Sequence, residues 1–116
     1  MIKVYQIQLT DAEIAAIRNN GNTTPRIQAY LSRSFDSMFK AENFQYYDHV
    51  ATIYGTEDME DAFRVMNLWD GGATSGIDVV KHGPCSSMSV GDILEVGLLE
   101  TDGTKYRCAS FGFDAI

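Results

Sequence analysis

The sequence predicts an α+β domain: a small antiparallel sheet of an N-terminal strand, a central strand and a C-terminal hairpin, packed against two or three helices. Three patterns predict it. Residues 2–9 alternate apolar and polar, the signature of a half-buried strand. Met59, Ala62, Phe63 and Met66 fall at i, i+3, i+4 and i+7, one apolar stripe of a helix. Thr101-Asp102-Gly103-Thr104 stands between two apolar-patterned runs, an Asp-Gly hairpin signal.

Taken in order, the first strand stops at Thr10, which with Glu13 spells Thr-Asp-Ala-Glu, a capping box opening a helix. Ile14 and Ile17 give that helix its apolar face, and Asn19-Asn20-Gly21-Asn22 stops it. Thr24-Pro25 is an N-cap followed by proline at the first helical position. Ile27, Tyr30, Leu31, Ser34 and Phe35 continue at helical spacing, so the second helix is expected to reach Phe35 or Phe39. The aromatic-rich stretch from Asp36 to Tyr47 reads equally as helix end, loop or strand start. His49 to Tyr54 is strand-like, and Gly55-Thr56 ends it and caps the helix that carries the Met59 stripe. Trp69 to Gly76 is loop-forming. Ile77 to Val80 reads as extended and His82-Gly83-Pro84-Cys85 as a turn. Ile93 to Val96 and Lys105 to Phe113 make the closing hairpin, with Phe111 and Phe113 on one face of its second strand.

Composition bounds the function. With 116 residues, the chain suits one domain over 1–116. Apolar residues at 45% and charged residues at 22% argue for a packed core and against disorder. Nine basic against sixteen acidic residues leave −7, which disfavours direct binding of a phosphate backbone. Apolar runs fall far short of the ~18 residues of a membrane span, and the N-terminus has no secretory h-region. Two cysteines do not make a disulfide framework, so both are expected reduced in a cytoplasmic chain, although their spacing alone permits a Cys85–Cys108 bridge.

The C-terminal half carries a resemblance. The run Ser86-Ser87-Met88-Ser89-Val90-Gly91-Asp92-Ile93-Leu94 is followed by a hairpin and then Tyr106-Arg107-Cys108-Ala109-Ser110-Phe111-Gly112-Phe113. Together they resemble the YodL-like domain of phage, plasmid and conjugative-element proteins, over residues 50–116. Two positions depart from that family's pattern: Cys85 and Ser86 stand where it often has a histidine, and Ala109 where it often has an aspartate. The resemblance implies a mobile-element origin and no particular reaction. Without it, the motif reads as packing. Ser89 and Asp92 can close a turn onto backbone groups, Gly91 permits positive φ, and the two phenylalanines fill the interior.

Several constellations bear on chemistry. His82 and Cys85 with Cys108 and His49 supply the atoms of a zinc site, but without the paired short spacings such sites show. Cys85 with His49 or His82 as base is the corresponding nucleophile reading, and nothing around it resembles a nucleophile elbow. Glu57, Asp58, Glu60 and Asp61, with Asp70 and Asp78, could hold a hard cation, yet acids at a helix start more often complement its dipole. Residues 71–76 lack the lysine of a phosphate-binding loop. Trp69 is the aromatic best placed to anchor an interface.

The expected function is therefore that of a small acidic, non-enzymatic interaction protein of a phage or mobile element. It would bind a host or partner protein in the host cytoplasm through Trp69 and the acids Glu57, Asp58, Glu60 and Asp61. No cofactor, direct nucleic-acid binding or membrane insertion is expected. One alternative is an acidic mimic of nucleic acid that inhibits a defence protein. A small metal- or Cys-dependent hydrolase is another. Homo-oligomerisation through an edge strand such as residues 2–9 is also open.

Overall fold

The computed structural model describes residues 1–19, 24–67, 76–97 and 103–116. Six strands form one antiparallel sheet: β1 (Ile2–Gln6), β2 (Asp48–Tyr54), β3 (Asp78–Lys81), β4 (Ile93–Val96), β5 (Thr104–Cys108) and β6 (Phe113–Ala115). Their order in space is β3-β2-β1-β4-β5-β6. Three α-helices, α1 (Asp11–Arg18), α2 (Pro25–Ser32) and α3 (Met59–Asn67), and a 3-10 helix (Ala41–Tyr46) complete the α+β architecture.

The first strand is central, with β2 on one side and β4 on the other, so residues 2–9 offer no free edge. It is also shorter than its pattern, ending at Gln6. Ile2 and Val4 point to one face, and pack with Ala51, Ile53, Leu94, and Ala62 and Val65 of α3. Lys3 and Tyr5 point to the other, where Tyr5 joins Ile7, Ile93, Ala29 of α2, Phe44 and Tyr47 in a second core. The sheet is thus a middle layer, with α3 against one face and α2 and the 3-10 helix against the other.

A bulge between β1 and β2 sets this division. Val4 pairs with Ala51 and Tyr5 with His49, so Val50 is the extra residue. Val50 and Ala51 both reach the first core, and from there the alternation is reversed: His49 emerges on the same face as Thr52. Re-aiming a side chain is what a bulge does.

Both N-caps hold as expected. Thr10 accepts the Glu13 N–H while Glu13 accepts the Thr10 N–H, and Thr24 accepts the Ile27 N–H ahead of Pro25. Other boundaries differ. No residue of α1 is buried, and Ile14 stays 38% exposed. The second helix ends at Ser32, not Phe35 or Phe39, because Arg107 of β5 donates to the Arg33 carbonyl at 2.6 Å and captures a helix-end acceptor. The chain then turns, leaving Phe35 exposed, and enters the 3-10 helix that resolves the ambiguous stretch. On α3 the inward stripe is Ala62 and Val65 flanked by Met59 and Met66, while Phe63 faces outward. The cap of that helix is Asp58, whose carboxylate accepts the Glu60 N–H; Thr56 instead accepts the Asp58 N–H.

The closing hairpin pairs as predicted, with Ile93 opposite Arg107 and Val96 opposite Thr104. Its second strand, however, breaks at Ala109 and returns as β6. Phe111 therefore sits in the bend, 94% exposed, while Phe113 packs on the first core. The two rings do not share a face. A one-strand reading of 105–113 misses that Gly112, at φ 75°, reverses the chain between them. The predicted loop at 69–75, with Trp69 and Asp70, lies outside the described residues, as do Thr101 and Asp102 of the hairpin turn.

Candidate functional site

The Ser-Met-Ser-Val-Gly-Asp segment closes on itself. The Asp92 carboxylate accepts the Ser89 N–H at 3.0 Å, and the Asp92 N–H donates to the Ser89 carbonyl at 3.1 Å. Gly91 adopts φ 99°, and a Cβ there would strike the Arg33 backbone, so glycine is required twice over. This is the turn the motif predicts.

What the motif does not reveal is its partner from β1. Gln6, 2% exposed, donates to the Asp92 carboxylate at 2.9 Å and to the Ser86 carbonyl at 3.0 Å. Its amide oxygen accepts the Ser86 N–H at 3.0 Å. Tyr47 adds a hydrogen bond from its hydroxyl to the Gly91 carbonyl. Burial pushes the Asp92 carboxyl up to about 6, against the pull of Ser89 and Gln6 on its charged form. Asp92 helps line a groove of about 480 Å³ with Ile14, Ile17, Tyr30, Leu31, Arg18 and Arg33. An acid titrating near neutrality in a groove is a candidate site on general grounds. Here one carboxylate oxygen, Oδ2, accepts both the Ser89 N–H and the Gln6 amide, which ties β1 to the turn.

The four residues that supply the atoms of a zinc site divide. His49 and His82 come together on the sheet face that the bulge exposes, ring centroids 4.5 Å apart. Their Nε2 atoms lie 3.0 and 2.7 Å from the single Thr52 hydroxyl. A hydroxyl has one proton to give, so at least one of the two rings donates to it. Burial first, and His82 second, hold His49 below the usual imidazole range. Beside them Tyr5 donates to Glu95 at 2.8 Å, and burial and that carboxylate push its phenol up. The thiols are elsewhere. Cys85 packs half-buried against the first core, and burial pushes the Cys108 thiol up to about 11. Both are free. Among the described residues no three His, Cys, Asp or Glu side chains gather around a cation position. The zinc set therefore does not assemble among the described residues. No hydrogen bond among the described residues links Cys85 to an imidazole, so the nucleophile pair does not form either.

The acids of α3 are occupied locally. Asp58 caps the helix, and Asp61 accepts from Thr56 and pairs with Arg64, which hold it below the usual carboxylate range. Glu57 and Glu60 are exposed, and Asp78 lies on β3. Glu13 and Asp48 pair with Arg26, and Asp36 with Arg107. These pairings remove several carboxylates from any stripe of phosphate-like charges. Arg107 itself, 2% exposed, ties residues 33–36 to β5; its Nε is left without a partner. A lone arginine inside an apolar strand pattern gives no hint of a contact 71 residues away.

An exposed apolar surface lies on α2 and the turn after it. Leu31, Phe35 and Met38 are 46, 57 and 56% exposed and line a groove of about 570 Å³ with Pro25, Lys40 and Tyr46. Leu31 also borders the Asp92 groove, so the two depressions meet along α2. The sequence places Leu31 and Phe35 on an inward helical stripe; Leu31 is exposed within α2, and Phe35 falls in the turn after the helix ends at Ser32.

Fold and site together define a small α+β domain with a sheet between helical layers and an apolar double groove on one side. Compared with family models, with curated proteins and with solved structures, the chain gives no match. No helix among the described residues is long and apolar enough to cross a membrane.

Proposed function

We propose that the chain is a small acidic protein-binding domain of a phage or other mobile element, acting in the host cytoplasm on a host or partner protein. The observation that carries this reading is the row of exposed Leu31, Phe35 and Met38 along the α2 groove, with Ile14 continuing it across the second depression. A monomer that buries Ile2, Val4, Ile53 and Leu94 completely has little reason to leave four large apolar side chains on one flank unless something covers them. The mobile-element origin rests on the two C-terminal motifs and their resemblance to YodL-like domains. The −7 charge favours a partner with a basic surface, whose attraction weakens as salt rises.

The test is affinity capture from host-cell lysate, with the wild-type chain beside a Phe35→Ser/Met38→Ser variant. Both side chains are exposed, so the variant is expected to keep its circular dichroism spectrum and melting temperature. A discrete protein retained by the wild type at low salt, reduced at high salt and lost with the variant supports the proposal. Equal capture by both chains, or none by either, removes it.

A further inference from the structure

The sheet ends in two edge strands of opposite character. Among the described residues β3 has a neighbour only in β2, and β6 only in β5. On β3 the His82 N–H donates to the Val50 carbonyl at 2.8 Å, and Val80 stands opposite Thr52. Antiparallel ladders alternate, so Asp78, Val80 and His82 turn their backbone groups toward β2. Val79 and Lys81 turn theirs outward. The side chains alternate too: Val79 packs on the first core, while Val80, 44% exposed, shares the open face with Asp78 and His82.

We propose that β3 pairs with β3 of a second copy of this chain, about a two-fold axis at Val80, joining two sheets into one. In that register Val79 and Lys81 exchange backbone hydrogen bonds with Lys81 and Val79 of the second copy. Val80 meets Val80 of the second copy. Asp78 lies directly opposite His82 of the second copy, in the closely spaced kind of pair where side chains interact best. The Nε2 of His82 is already on Thr52, which leaves Nδ1 as the nitrogen that faces a carboxylate. The edge is self-complementary: acid meets imidazole on both sides of an apolar centre.

The other edge is not. The Ile116 N–H donates to the Lys105 carbonyl, and Asp114 stands opposite Arg107. Asp114 and Ile116 therefore turn inward, and Phe113 and Ala115 outward. The register that pairs both outward residues with a second copy sets Asp114 opposite Asp114 of that copy. Like charges directly opposite are destabilising. Self-association is thus directed to β3, on a surface made of none of the α2 groove residues.

Five residues a side, Asp78 to His82, make a small interface, so association is weak and is measured by sedimentation of the full chain up to about 1 mM. The mass is expected to climb from 12.9 kDa toward twice that value and stop there. Val79→Pro removes an outward N–H and leaves the bonds to β2, so it is expected to raise the dissociation constant about tenfold or more. A second variant guards against misfolding of the first. In a Cys85→Ser background, Val80→Cys is expected to form a disulfide between copies under mild oxidation, mapped by peptide mass, while Asp114→Cys does not. A monomer at every concentration with no crosslink at position 80 overturns the proposal. So does growth beyond a dimer, or a crosslink at position 114 in place of 80.

Discussion

The two faces of the sheet are filled by different means. Against α3, β1, β2 and β4 present Ile2, Val4, Ala51, Ile53 and Leu94, each without exposed surface, and α3 answers with Ala62 and Val65. Against α2, apolar Ile7 and Ile93 sit among Tyr5, Tyr47 and Arg107, whose hydrogen bonds reach residues 44 to 90 positions away. The first face is held by exclusion of water, which is non-directional and tolerates little loss of volume. The second is held by bonds that require particular atoms at particular distances, and one of its groups, Arg107, carries charge. Its outer layer also leaves Leu31, Phe35 and Met38 uncovered. The dry face supplies stability, and the polar face supplies shape and the exposed grooves.

That contrast can be broken at its strongest point first. Ile53→Ala on the dry face is expected to cost about 2–5 kcal/mol in urea unfolding, the usual price of truncating a fully buried aliphatic side chain. A loss below about 1 kcal/mol would mean that this face is not the stabilising one.

Asp92, bonded to Gln6 of β1 and to Ser89, tests the polar contacts at the end of the sheet. Its folded pKa, about 6, lies above the ordinary carboxyl value, so the folded state favours the protonated form. Its contribution to stability is therefore fully present below about pH 4 and is lost as the pH rises through 6. With roughly two pKa units involved, the difference in stability between wild type and Asp92→Asn should shift by roughly 3 kcal/mol between pH 4 and 7, toward the variant at the higher pH. Glu13, Asp36 and Asp61 are shifted downward and act in the opposite sense, so the difference between the chains is the readout, not either curve alone. Parallel pH profiles would show that Asp92 is not held against its charge.

The smallest effect concerns the C-terminal bend. Phe111→Ser is expected to change stability by no more than about 0.5 kcal/mol, because the ring is 94% exposed. Phe113→Ser, on a ring packed against the dry face, should cost about 1–2 kcal/mol. Equal costs would restore the reading in which both rings seal the interior.

Local chemistry is what the sequence by itself determined. The capping box at Thr10, the Thr24-Pro25 start, the Ser89–Asp92 turn with Gly91, and the strand patterns in 2–9, 49–54 and 93–96 each depend on residues within a few positions of one another. Of the candidate groups, the turn role of Asp92 was legible for the same reason. Only tertiary structure decided that β1 is central and β3 an edge, since strand order depends on pairing between distant segments. It placed His49 beside His82 through a bulge that no pattern announces, and set Gln6 against Asp92 and Arg107 against Arg33. It also ended α2 at Ser32 and so put Phe35 in an exposed turn, where helical spacing points it inward. A helix's length and a side chain's burial depend on what competes for the next carbonyl, and here the competitor lies more than 70 residues away.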